Sequence, residues 1–230
     1  MCGRYAVFGP VSIPRDAVPI LNEMNMELDR ILNMRAADFN AAPTDLLPVV
    51  AQGQEGGFEC KDVRWGLVPH WAKDTKIGAK MINARAETVQ EKPSFRTAFK
   101  KRRCLVPANG YFEWKGEPKH KQPYFIHDPD GDLLMFAGLW EVWRPSEDAD
   151  WLRTFTIVTG PPGLVSGDIH DRMPVILPPA DWLDWLTEGP DVAADILAKV
   201  TEPKLTYHPV TKAVGSVKND GPELVEPIEL

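Results

Sequence analysis

Between Pro14 and Asn33 the apolar residues Ile20, Leu21, Met24, Leu28 and Ile31 recur at helical spacing, and Pro14 and Asp16 suit a first turn. The pattern predicts a surface helix. Beyond it, "NAAPTDLLPVV" reads as a loop entering a short strand, and "GQEGG" at 53–57 reads as a hairpin tip. The chain then changes period. "VRWGLVP", "RCLVPANGYFEW", "YFIHD", "LLMFAGLW" and "FTIVTG" are short runs rich in β-branched and aromatic residues, as strands are. Helices are expected at 94–102 ("SFRTAFKKR"), 179–186 ("PADWLDWL") and 191–200 ("DVAADILAKV"), with Ser94 and Pro179 at the first two starts. Blocks of strands with helices between them predict an α+β fold of mainly antiparallel, barrel-like β-sheets with peripheral helices. The 22 prolines are spread evenly and mark no linker, so residues 1–230 are expected to form one domain.

Composition narrows the class. With 230 residues, 43% of them hydrophobic, the chain can bury a sizeable core. No apolar run approaches the roughly 18 residues of a membrane span, and the opening lacks the pattern of a secretory signal, so a cytoplasmic protein without a membrane partner is expected. Cys2, Cys60 and Cys104 lie far apart, an odd count without a C-x-x-C pair, which indicates neither a disulfide framework nor a metal site. The formal net charge of −7 argues against a nucleic-acid partner. That charge is segregated, however: Lys100, Lys101, Arg102 and Arg103 run together, while acids collect in the last thirty residues and from Glu147 to Asp150.

Four segments carry candidate chemistry. If Met1 is trimmed, Cys2 offers an α-amine and a thiol on one residue. An α-amine near pKa 7.8 is about one-third neutral at pH 7.5, against about 0.1% for a lysine. It is therefore the better nucleophile towards an aldehyde, and the adjacent thiol can close onto the resulting imine as a five-membered thiazolidine. The plain alternative is a cysteine at position 2 by chance. "INARAET" sets Asn83, Arg85 and Glu87 on alternate positions, hence on one face of an extended segment, either binding an anion or merely solvated. "NGYFEW" places Glu113 between aromatics; pointing inward it would have a raised pKa and serve as an acid or base near neutrality, and pointing outward it would be solvated. "DIHDRMPVIL" brings His170, a possible proton shuttle, and Arg172, a possible phosphate clamp, to a strand end where a histidine can equally be structural.

Taken in order, "MCGRY", "FNAAPT", "WGLVPHWA", "INARAET", "GYFEW", "IHDRMPVIL" and "HPVTKAVGSVKNDG" resemble the SRAP family, named for an SOS-response-associated peptidase and associated with covalent capture of abasic sites in single-stranded DNA. The resemblance runs from Cys2 to about Gly221. It implies that Cys2 is the crosslinking nucleophile, Asn83 orients it, Glu113 is the acid/base and His170 lies beside the reacting sugar. It implies also that Arg4, Arg85 and Arg172 bind phosphates, that Pro43 and Trp71 wedge against bases, and that a monomer works without metal or organic cofactor. Strand cleavage at the lesion and self-removal of Met1 are possible accompanying activities. Two departures, Ala72 after Trp71 and "TGPPGLVSG" before His170, bear on the path of the strand.

Two rivals share the same opening residues. Class II glutamine amidotransferases also begin Met-Cys-Gly and use the N-terminal amine as base for its own thiol, and "ANGY" at 108–111 is similar to their oxyanion-hole Asn-Gly. That reading leaves "INARAET" and "IHDRMP" unexplained. A cysteine peptidase would pair Cys2 with His170.

Overall fold

The computed structural model describes residues 2–53, 55–117 and 120–230. Met1, whose removal the sequence reading invokes, and Gln54, in the expected hairpin tip, lie outside them. The first strands are β1 (Tyr5–Val7), β2 (Asp38–Ala41), β3 (Leu46–Gln52), β4 (Phe58–Trp65), β5 (Asn83–Arg85) and β6 (Arg103–Ala108). Then come β7 (Gly110–Lys115), β8 (Gln122–His127), β9 (Leu134–Trp143), β10 (Leu152–Gly160), β11 (Met173–Pro174) and β12 (Thr206–Pro209). The helices are α1 (Val18–Glu23), α2 (Leu28–Asn33), α3 (Arg96–Lys101), α4 (Leu164–Gly167), α5 (Trp182–Thr187) and α6 (Pro190–Lys199).

One sheet runs β12-β8-β7-β1-β2. In the other, β10-β4-β3-β6-β9 closes on itself because β9 also pairs β10, forming a small barrel with β5 and β11 attached to β10. The α+β, barrel-like expectation holds. Pairing is antiparallel except where β4 and β5 run parallel to β10, one after the other. Strand β6 is buried along its whole length, which explains its unbroken apolar run. Its outer side is covered by α5, whose Trp185 indole donates to Cys104 O at 3.0 Å.

The expected helix at 14–33 is instead two. Asn25 takes a left-handed φ of 51°, and Met26 N–H reaches back to Leu21 O at 2.9 Å, which terminates α1. The break turns Leu21 and Met24 of the first segment and Leu28 and Leu32 of the second into the same core. Among the described residues no helix is long and apolar enough to cross a membrane.

The segment after β12 straps the first sheet. Asn40 of β2, itself buried, accepts from Arg4 Nη1 at 2.7 Å and donates to Ser216 O at 3.0 Å and Asn219 O at 2.8 Å. Arg4 Nη1 also donates to Val214 O at 2.8 Å. Asn40→Ala would strand these groups at once, and each buried polar group left unpaired costs about 1–3 kcal/mol. Urea unfolding of Asn40→Ala should show a loss of about 3 kcal/mol, with limited proteolysis cutting first near residues 214–219; unchanged stability would mean that the strap is held elsewhere.

Candidate active site

Strand β1 is three residues long, yet it is paired on both sides. Tyr5 faces Tyr111 of β7 and Ala41 of β2, and Phe112 N–H donates to Arg4 O at 3.0 Å, which carries the ladder towards the chain start. This pairing leaves Cys2 fully buried and close enough to Glu113 for that carboxylate's charge to act on the thiol. Glu113 points inward from β7 with 4% of its surface exposed, which decides the choice its sequence context leaves open. His170 lies between α4 and β11, with Nε2 3.9 Å from Glu113 Oε2. Asn83 and Arg85 come from β5, held in parallel register beside Ile157 and Thr159 of β10.

Arg85, Glu113 and His170 meet at an open cleft of about 730 Å³, lined also by Trp114, Lys121, Asp171 and Arg172, whereas Cys2 and Asn83 are not among its lining residues. Its chemistry is set by burial. Desolvation pushes the Glu113 carboxyl up to about 7, so near neutrality it both holds and releases a proton. Burial, helped by the Glu113 charge, raises the Cys2 thiol far above its usual range. His170 is lowered, mainly by burial, with Lys121 acting in the same direction. The site thus offers a neutral thiol, a carboxyl poised between two states and an imidazole that favours neutrality.

The remaining expected residues divide by exposure. Arg85 is exposed at the cleft. Arg172 is largely covered: its guanidinium forms a two-pronged pair with Glu87, Nη2 meeting Oε2 at 2.9 Å, and Nη2 also donates to Thr159 O at 2.7 Å. Arg4 is tied to Asn40 and Val214 as described above. Asn83 Nδ2 donates to Ile82 O at 3.0 Å, while its buried Oδ1 makes no hydrogen bond to the described residues. Pro43 and Trp71 sit on turns outside the cleft lining, Pro43 beside Thr44 at φ 84° and Trp71 half-exposed. Trp143 Nε1 donates to Ala72 O at 2.8 Å and so fixes the Trp71 turn.

Sequence reasoning missed Trp114, Lys121 and Asp171 as cleft residues. Trp114 follows Glu113 and was readable only as strand; Lys121 lies in "KHKQP", which has no pattern. Asn109, the candidate oxyanion donor, is not among the cleft-lining residues; its Oδ1 accepts from Phe8 N–H at 2.8 Å and its backbone N–H donates to Ala6 O at 2.8 Å.

The SOS response associated peptidase (SRAP) family model matches residues 1–217, and the chain belongs to that family. Abasic site processing protein YoqW of Bacillus subtilis is 38% identical over 98% of this chain and 99% of its own. Abasic site processing protein YedK of Escherichia coli is 32% identical over 99% of this chain and 100% of its own. A solved structure of a Bacteroides thetaiotaomicron protein superposes with a TM-score of 0.79 at 25% identity, covering 98% of this chain and all of that one.

The raised carboxyl has a stability consequence. The folded protein keeps the Glu113 proton up to about pH 7, whereas the unfolded chain loses it near 4.5. Stability from this group is therefore fully present below 4.5 and is lost as pH rises through about 7. Glu113→Gln should remove that loss, so the variant gains about 3 kcal/mol relative to wild type between pH 4 and 8. Denaturant titrations across pH check this; parallel stability curves would mean that Glu113 is ionised in the fold.

Proposed function

We propose that this protein captures abasic sites in single-stranded DNA covalently, through Cys2 after removal of Met1. The observation that carries the reading is the closeness of a buried second-position cysteine to a carboxyl poised near neutrality, at the edge of a cleft bearing Arg85 and Lys121. The names of the relatives support it from a separate direction.

The ring-opened abasic sugar presents an aldehyde. The Cys2 α-amine adds to that carbon to give a carbinolamine, which takes a proton from Glu113 on its hydroxyl, loses water and leaves a protonated imine. Glu113, now ionised, takes the thiol proton; sulfur bonds to the former aldehyde carbon and the C=N electron pair moves to nitrogen, which becomes a neutral amine still carrying its proton. The product is a thiazolidine, with one water released overall. A pKa of about 7 suits Glu113 to both steps, since it must give a proton in one and accept in the next. The buried thiol stays protonated until that moment, because burial disfavours free thiolate. In this scheme His170 assists proton transfer at the sugar and Asn83 holds the amine. Strand cleavage at the imine and self-removal of Met1 are side activities of the same groups.

Arg4, Arg85 and Arg172 hold the backbone in this reading, and Pro43 and Trp71 act where bases are unpaired, which favours single strands over duplex. Binding is then sequence-independent and salt-sensitive.

Cys2→Ala should abolish the stable adduct on a denaturing gel while leaving an imine that borohydride traps, because the amine survives and the ring cannot close. An Ala variant that shifts abasic DNA as strongly as wild type without reductant would exclude the thiazolidine. Arg85→Ala should weaken binding to every single-stranded sequence by a similar factor and lower the salt slope by about one. Unaltered affinity would place Arg85 off the DNA path.

A further inference from the structure

Two contacts compete for one nitrogen of His170. The Arg172 backbone N–H donates to Nδ1 at 3.1 Å, which requires a lone pair there. Asp171 Oδ1 lies 2.9 Å from the same atom, and a carboxylate is satisfied only if Nδ1 carries the proton. In a neutral imidazole one ring nitrogen donates and the other accepts, so the winner at Nδ1 decides whether Nε2, which faces Glu113, has a proton to give.

The two competitors differ in how firmly they are held. The Asp171 side chain is 88% exposed. Arg172 is 16% exposed, fastened to both Glu87 oxygens and to Thr159 O. Thr159 is itself paired with Arg85 of β5 and Pro174 of β11, and its carbonyl also accepts from Ala86 N–H at 2.9 Å. Glu87 thus closes a rigid loop between the turn after β5 and the 170–173 turn. We propose that Glu87 is a positioning residue which, through Arg172, keeps His170 in the tautomer protonated on Nε2. If that brace is cut, Asp171 takes Nδ1, Nε2 becomes a lone pair, and the imidazolium is favoured. Among the described residues, the charged groups acting on the ring are Glu113, Asp171 and Lys121. The kinetic consequence rests on the abasic-site reading; the tautomer is a property of the free protein.

Glu87→Gln preserves size but turns one acceptor into a donor facing a guanidinium, which breaks the two-pronged pair. Long-range nitrogen–proton NMR of the histidine rings, with His170 assigned by its loss in His170→Gln, reads the tautomer directly. Wild type above its titration should show Nε2 protonated. Glu87→Gln should move towards Nδ1 protonation, titrate at higher pH and crosslink on the order of 10-fold more slowly, less than the roughly 10²-fold to 10⁴-fold that a general acid–base group contributes, because the imidazole itself remains. Its affinity for a non-reactive abasic analogue should stay within about 2-fold. Adding Asp171→Asn should restore the wild-type tautomer, because an amide N–H can donate to Nδ1. Unchanged ring signals in Glu87→Gln, or failure of Asp171→Asn to restore them, overturns the proposal. Absence of any adduct with wild type would overturn the abasic-site reading while leaving the ring signals to judge this one.

Discussion

Holding the second residue of a chain inside a folded core is the constraint on which the site depends. Chain ends fray unless tied down, and three residues of strand supply few ladder bonds. Here β1 runs between β2 and β7, so both its edges are paired. Tyr5 adds an aromatic anchor, its ring 5.2 Å from Trp65 and 6.0 Å from Phe136 in edge contacts. Arg4 is bound to Asn40 and to the C-terminal strap, so the last segment of the chain secures the first.

The same burial sets the acid–base character of the site. A carboxyl kept from water costs stability in its charged form, and the fold accepts that cost where a proton must move at neutral pH. The overall charge of −7 is no guide to the cleft, since Arg85 and Lys121 stand there while many acids lie elsewhere on the surface. Arg172 differs from Arg85 in kind. One is exposed at the cleft, whereas the other is braced by Glu87 and held in a fixed position.

Much of the fold was legible because strand runs such as "RCLVPA" and "FTIVTG" are apolar for a local reason: both faces are covered. The period of two in "INARAET" correctly put Asn83 and Arg85 on one face of β5, but the strand ends at Arg85, and Glu87 reaches Arg172 from the following turn. What depended on distant partners was not legible. Asn25 looks harmless in a helical window, and only the packing of both segments on one core makes the break favourable. The basic run at 100–103 reads as a surface patch, yet Arg102 pairs with buried Glu141, and Arg103 is buried, donating to the carbonyls of Phe99, Trp185 and Glu188. The inward turn of Glu113 was an even choice until the register of β7 against β8 and β1 settled it.

The central claim is that one residue, Cys2, supplies both nucleophiles for a covalent bond to an abasic sugar. Intact mass spectrometry of the processed protein, mixed with single-stranded DNA carrying one abasic site and no reductant, tests it most directly. The account predicts a single new species at the summed mass of the Met1-free protein and the oligonucleotide, less one water, stable to denaturation. Unmodified protein after prolonged incubation, or an adduct that retains Met1, would contradict it.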